Sequence, residues 1–259
     1  MEKKIDNIKT YAICLEREVE RHQSLNKNLS DLGIEAEYIG IDGENMPSDL
    51  GICYSEDDAL TYMGRELSKP EIGCAASHWV IWNKVAKGKD NFVLILESDA
   101  ALTREAVEMI STIRDHHSDV DLVMLSYADC VPSVWEKRKI TDKYQLVRFS
   151  RRSYFASAYI LSKRGAKELI RKTRSIAIPP DEMLIGERIE KDMSIYALYP
   201  RMVFLMEQAY ETSTLRSDRL NKTGGVSKNQ AEKPRRKGLQ RLEQILRHFF
   251  ISLKSPPSV

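Results

Sequence analysis

Cysteine is scarce and unpaired in this chain. Only four occur in 259 residues, at Cys14, Cys53, Cys74 and Cys130, with no CxxC pair and no histidine at zinc-finger spacing. That excludes a disulfide scaffold and a structural zinc module, and a chain of this length buries a full core without either. Cys14 and Cys74 lie in apolar contexts and are expected to be small core residues in a reducing compartment. Long apolar runs are also missing. No segment approaches the roughly 18 consecutive apolar residues of a membrane span. The opening Met-Glu-Lys-Lys-Ile-Asp-Asn lacks the apolar region of a signal peptide, which sets the expectation of a cytoplasmic protein. No internal repeat is evident.

Charge of one sign is nearly absent from the end of the chain. From Val226 onward there are eight Lys/Arg and two acids, so the part before it holds 32 basic and 36 acidic residues. A mildly acidic body carries a basic tail, and such a split points to an anionic surface as the tail's partner. Thr223-Gly-Gly-Val-Ser-Lys-Asn-Gln is a linker by composition, dividing a body of residues 1–222 from a tail of 223–259. In the tail, Leu239, Leu242, Leu246, Phe249, Phe250 and Leu253 form one apolar helical stripe bordered by Arg241, Arg247, His248 and Lys254. The stripe could pack on the body or form a homodimer seam. Its basic flanks favour lying on anionic phospholipid, as a peripheral attachment to the inner membrane. Nucleic acid is not the expected partner, because the tail lacks aromatics interleaved for base stacking and the body is acidic.

Within the body, apolar strands alternate with helices. Lys9–Glu16 is a short strand and Arg17–Leu32 a polar helix closed by Gly33 at its C′ position. Glu37–Ile41 is a second strand ending in Asp42-Gly43. Residues 44–67 show no sustained period and resemble a long surface excursion. Ser68-Lys-Pro-Glu71 is a capping box opening a helix to Gly88. Then come strand 92–97, a helix over 103–116, strand 122–127, a hairpin over 135–149, strand 155–162 and a helix over 163–174. Pro179-Pro180-Asp181 starts a helix to about Lys191, and a last strand over 195–205 is interrupted by Pro200. This order predicts an α/β fold with one mostly parallel, twisted sheet and helices on both faces.

The most informative stretch is Phe92-Val-Leu-Ile-Leu-Glu-Ser-Asp99. Its unbroken apolar run marks a strand covered on both faces, and two acids emerge at its carboxyl end, where open α/β sheets bind ligands. Residues two apart on a strand point the same way, so Glu97 and Asp99 can converge on one hard cation. A divalent ion held by one or two carboxylates, with other positions open to phosphate oxygens, is the usual way to hold a diphosphate. An isolated ExD would mean only a polar turn.

Taken in order, the segments resemble glycosyltransferase family 25, the bacterial lipooligosaccharide galactosyltransferases and their collagen-modifying relatives. The resemblance spans roughly Tyr11 to Arg216. It rests on Ala12-Ile-Cys-Leu15 with Arg17 and Arg21, Ile41-Asp-Gly43, Glu71-Ile-Gly-Cys-Ala-Ala-Ser-His78, Leu94-Ile-Leu-Glu-Ser-Asp99, Ala158-Tyr-Ile-Leu-Ser with Gly165-Ala166, Pro180-Asp181, and Ser213-Thr214. Two positions depart from the family pattern: Cys14 stands where Asn is usual, and Ser98 replaces the middle Asp of Glu-Asp-Asp. The Ser98 departure keeps open a non-catalytic nucleotide-sugar or glycan-binding relative. A nucleotide-sugar hydrolase is a further rival.

The resemblance implies a GT-A-like fold, a UDP-hexose donor such as UDP-galactose, a manganese or magnesium ion, and a lipid-anchored oligosaccharide acceptor. It implies Asp99 and Glu97 as metal ligands. It also implies donor contacts from Leu15, Arg17, Arg21, Asp42, Gly43, Ser77, His78 and Ser98. Each has a structural alternative: a turn at Asp42-Gly43, ion pairs for the arginines, a satisfied polar residue at Ser77 or His78. Inverting transfer needs a general base for the acceptor hydroxyl, and Asp181, with Glu182 beside it, is the candidate; the alternative for Asp181 is a first-turn acid favoured by the helix dipole. Trp79 and Trp82 are expected in the core.

Overall fold

The computed structural model describes residues 8–127, 132–149, 155–185 and 192–205. Ten strands and six helices are found among them. An alternating pattern of burial explains how they layer. Val93 and Ile95 of β3 (Phe92–Glu97) join one apolar cluster, whereas Leu94 and Leu96 join the other. The same split divides β1 (Lys9–Ile13), β8 (Ala158–Ser162), β5 (Leu122–Met124) and β9 (Ile195–Tyr199). One cluster takes in α2 (Glu56–Met63), α3 (Lys69–Lys87), α5 (Lys163–Lys172) and α6 (Pro180–Ile185). The opposite cluster takes in α1 (Val19–Asp31) and α4 (Arg104–His116). A sheet covered by helices on both faces follows.

The sheet has eight strands in the order β2-β1-β3-β8-β5-β9-β7-β6, with β2 at Ala36–Ile39, β6 at Pro132–Lys139 and β7 at Gln145–Phe149. The α/β class and the single, mostly parallel sheet are as the sequence implied, with two strands reversed. β2, β1 and β3 are parallel, as are β5 and β9, but β8 runs antiparallel to both β3 and β5, and β7 runs antiparallel to both β9 and β6. Six of the eight strands thus run one way, and β8 and β7 run against them. Buried strands of either direction carry the same unbroken apolar run, so periodicity could not tell them apart. A small ribbon of β4 (Ala100–Ala101) and β10 (Phe204–Leu205) completes the strands.

Helix ends follow sequence signals. Ser68 and Glu71 form the full capping box of α3, Thr103 caps α4 by accepting the Ala106 N–H, and Gly33 follows α1 at φ +70. Residues 44–67 are not a loose excursion. Ser55 and Gly64 bound α2, Ile52, Ala59 and Leu67 are buried, and Asp58 accepts a bond from Ser175 at 2.8 Å. The expected helix beyond 185 and the tail lie outside the described residues. No described helix is long and apolar enough to cross a membrane.

Chain order creates one crevice. From β1 the chain passes through α1 to β2 on one side, and then through α3 to β3 on the other. Because α1 and α3 lie on opposite faces, β1 and β3 part at their carboxyl ends, and such switch points are where open sheets hold ligands.

Candidate active site

β1 and β3 are in register, Ile13 opposite Glu97, so Cys14-Leu15 and Glu97-Ser98-Asp99 leave the sheet side by side. Glu97 keeps the alternation of β3 and points to the α3 face. Its Oε1 meets His78 Nε2 at 3.1 Å and the Cys74 thiol at 3.8 Å. No partner for its Oε2 appears among the described residues. Ser98 points the other way, is buried, and lies within hydrogen-bonding reach of the Cys14 thiol. That thiol bonds to Leu15 O at 3.6 Å and Glu18 O at 3.8 Å, and Ser98 is near enough to oppose the rise that burial gives it.

Asp99 sits in the turn between β3 and β4. Its Oδ1 is buried with no hydrogen-bond partner among the described residues. Burial pushes its carboxyl up to about 7, Glu97 adds to this, and the Arg21 guanidinium opposes it. Thr103, not Asp99, caps the next helix, so Asp99 is not spent on a cap. Asp181, in the first turn of α6, shares this electrostatic neighbourhood. Burial raises its carboxyl, and Glu97 raises it further; the N–H groups of Glu182 and Phe155 pull it back. Glu182 is half-buried beside it and donates its N–H to Asp181 Oδ1 at 3.0 Å.

The other expected contacts divide into two groups. Arg21, on α1, is 3.9 Å from Glu18 and close enough to Asp99 to pull its carboxyl down. Leu15 offers its N–H to Glu18 Oε2 at 3.4 Å. Arg17 precedes α1 instead of sharing its face, and pairs with Asp42, whose carboxyl it holds low. Asp42 also caps its own turn, accepting the Glu44 N–H at 3.1 Å. Gly43 is packed backbone to backbone: a Cβ there would lie 1.8 Å from Lys69 O, and one on Gly73 would lie 2.4 Å from Ile41 O.

From the sequence, Ser77 and His78 are expected as donor contacts or as satisfied polar residues. Both are buried, because α3 is covered by the sheet on one side and by α5, α6 and residues 41–54 around the rest. Ser77 accepts the Ile41 N–H and donates to Gly73 O, each at 2.8 Å, which ties the loop after β2 to the helix. His78 is 0% exposed and bonds only inward.

Three residues escaped the sequence reading. Cys74 is not a plain core residue, since its thiol touches Glu97. Tyr159 and Trp82 join His78 in a chain of hydrogen bonds: Tyr159 Oη is 2.7 Å from His78 Nδ1 and accepts from Trp82 Nε1 at 2.8 Å. Positions 74, 78 and 82 recur at four-residue steps and share one row of the helix. That spacing was the available signal.

The donor set can be tested against a cation. An orphaned oxygen on Asp99 and an uncommitted one on Glu97 are hard donors that suit manganese or magnesium. Cys74, His78 and Glu97 also bring ligand atoms within 4.8 Å of one another. Burial, with Glu97 and Asp99, pushes the Cys74 thiol well above its ordinary value, and the His78 imidazole and Cys74 thiol both bond to Glu97 Oε1, at 3.1 and 3.8 Å. That trio is a hydrogen-bonded cluster. Two open cavities, 600 and 590 Å³, lie at the other edge of the sheet. Charge there is already paired, as with Arg164 and Asp121 at 2.6 Å.

The fold is an α/β sheet that gathers acids at the carboxyl ends of two neighbouring parallel strands. The chain belongs to glycosyltransferase family 25: residues 7–184 match the model of the family described as "Glycosyltransferase family 25 (LPS biosynthesis protein)". A "Glycosyltransferase 25 family member" of Aedes aegypti is 27% identical over 180 residues, covering 67% of this chain and 30% of that protein. "Procollagen galactosyltransferase 1" of Danio rerio is 26% identical over 184 residues, with the same coverage of both chains. A "Probable inactive glycosyltransferase 25 family member 3" of Bos taurus is 24% identical over 184 residues, again with 67% and 30% covered. The match spans about a third of the length of these curated relatives.

Proposed function

We propose that the protein is a GT-A-like glycosyltransferase that moves a hexose from a UDP-sugar to a lipooligosaccharide acceptor, with a divalent cation and with inversion. The observation that carries this reading is the pair of uncommitted carboxylate oxygens, Glu97 Oε2 and the buried Asp99 Oδ1, at the switch point of a family 25 sheet. Manganese or magnesium bound there would neutralise charge developing on a departing nucleoside diphosphate. Arg21 stands beside Asp99 to share that task. The Arg17–Asp42 pair and the backbone of Leu15 border the same strand ends and suit contacts to the nucleoside.

Asp181 is the proposed base. A buried carboxylate with a raised pKa takes a proton from a hydroxyl more readily than an exposed one, and Glu182 stands behind it. Galactose as the sugar is supported by the name of the Danio rerio relative, and a lipopolysaccharide-type acceptor by the family's description. The apolar stripe of the tail with its basic flanks, outside the described residues, supports a peripheral place on the inner membrane's cytoplasmic side.

Calorimetric titration of UDP-galactose and UDP-glucose, with and without manganese, tests the reading on wild type and on Asp99→Asn. Manganese-dependent binding that vanishes in the variant supports the transferase. Binding indifferent to manganese turns the assignment toward a non-catalytic relative, the reading that the name of the Bos taurus protein brings to mind.

A further inference from the structure

We propose that Trp82, Tyr159 and His78 form a relay of hydrogen bonds that fixes the rotamer of Glu97, so that His78 acts as a positioning residue and touches no substrate. The inference deepens the proposed function and rests on it for the role given to Glu97.

Donor and acceptor capacity sets the direction of the relay. Indole Nε1 can only donate, so the Tyr159 hydroxyl accepts from Trp82 at 2.8 Å. That hydroxyl keeps its proton, because burial pushes the phenol well above its ordinary value. Its remaining neighbour at hydrogen-bonding distance among the described residues is His78 Nδ1, at 2.7 Å. The hydroxyl therefore donates to Nδ1, the imidazole proton lies on Nε2, and Nε2–H points at Glu97 Oε1, 3.1 Å away. The opposite tautomer would leave a phenol proton buried without an acceptor and set a ring lone pair against a carboxylate. Both arrangements are costly in a core.

The surrounding fold leaves these groups little freedom. Trp82, His78 and Tyr159 are each 0% exposed. The His78 and Tyr159 rings lie 5.7 Å apart with a 22° interplanar angle. Tyr159 is fixed on β8 opposite Ile95, one strand pair from the carboxylate it serves. At the end of the relay Oε1 is held by His78 and by the Cys74 thiol, and Oε2 remains for the ligand. An apolar trio would fill the same space without needing three matched polar bonds, so the presence of these three calls for a role. The arrangement matches the way outer groups orient a metal-binding side chain elsewhere.

Two measurements decide it, the first free of any variant. Nitrogen-15 NMR of the histidine-labelled, metal-free protein reads the His78 tautomer directly. A proton on Nε2 with a bare Nδ1 is expected; a protonated Nδ1 overturns the relay. This readout stands even if the protein transfers no sugar, so failure of the functional reading is distinguishable from failure of the relay. The second is calorimetry of manganese in the presence of UDP. Tyr159→Phe, which touches neither Glu97 nor ligand, should weaken manganese binding about 10-fold, and His78→Gln, whose amide can still donate to Glu97, should recover most of what His78→Phe loses. Unchanged affinity in a Tyr159→Phe protein whose circular dichroism and melting remain cooperative would refute the positioning role.

Discussion

At the residue scale, Asp99 sets function against stability. Its carboxyl titrates near about 7 in the folded protein, against an ordinary value of 3.8, so the folded state holds the proton more tightly than the unfolded chain. Stability from this group is present at low pH, declines as pH rises from about 4 to about 7, and is constant beyond. Asp99→Asn should flatten that decline and raise Tm at about pH 8, while abolishing manganese-dependent nucleotide binding. A cation takes the proton's place, so the rise in Tm on adding manganese should be small at about pH 5 and larger at about pH 8. Scanning calorimetry in chelator and in manganese checks both signs. An unchanged pH profile in the variant would remove Asp99 as the cause.

Ser98 and Cys14 belong to the same scale. Each departs from the family pattern, and they lie within hydrogen-bonding reach on the face away from Glu97. Ser98→Asp alone sets a second carboxylate in a buried spot beside Asp99 and should cost about 1–3 kcal/mol. Adding Cys14→Asn supplies an amide donor, and the pair should show a favourable coupling of at least about 0.5 kcal/mol in a double-mutant cycle by urea unfolding. Additive losses would mean that the two departures are unrelated.

At the scale of elements, α3 does the most for the site. Its first turns press backbone to backbone on the loop after β2, with Gly73 against Ile41 O and Gly43 against Lys69 O. Neither neighbour can rotate away. Gly73→Ala should lose on the order of 2 kcal/mol despite the better helix propensity of alanine, and Ser68→Ala, which removes one half of the capping box, about 1 kcal/mol. Urea midpoints measure both. A Gly73→Ala protein as stable as wild type would show that the loop moves freely from the helix.

Legibility followed the same division. Ser68-Lys-Pro-Glu71, Thr103 and Gly33 announced helix ends because capping is local chemistry, and Phe92–Glu97 announced a buried strand because its apolar run is unbroken. Strand direction was hidden, since β8 and β3 read alike while running opposite ways. α2 was missed because eight residues with a single buried position, Ala59, carry too little period. The position of Glu97 and Asp99 at the carboxyl end of β3 was legible from spacing and strand end. His78 was visible as a residue, but its burial was not, because coverage by α5, α6 and the 41–54 segment is a tertiary fact. Cys74 and Tyr159 gained meaning only when β8 was laid beside β3.

At the scale of the whole molecule, the switch point draws on elements from both faces: β1 and β3 supply the strand ends, α1 brings Arg21, and α3 backs Glu97 with His78. A ligand bound there by native chains alone stabilises the fold by mass action, about 2.7 kcal/mol at a hundredfold excess over Kd. The basic tail is a separate device in this reading, meeting a lipid surface and not the nucleotide. Removing residues 231–259 should therefore leave the UDP- and manganese-induced rise in Tm as it is in the full chain, while sedimentation with phosphatidylserine- or phosphatidylglycerol-containing vesicles is lost. Vesicle binding by the full chain should weaken steeply with salt and vanish on neutral phosphatidylcholine, because it depends on Lys/Arg beside an anionic leaflet. A truncated chain that still sediments would assign the membrane contact to the body. One that loses its response to UDP and manganese would make the tail part of the donor site.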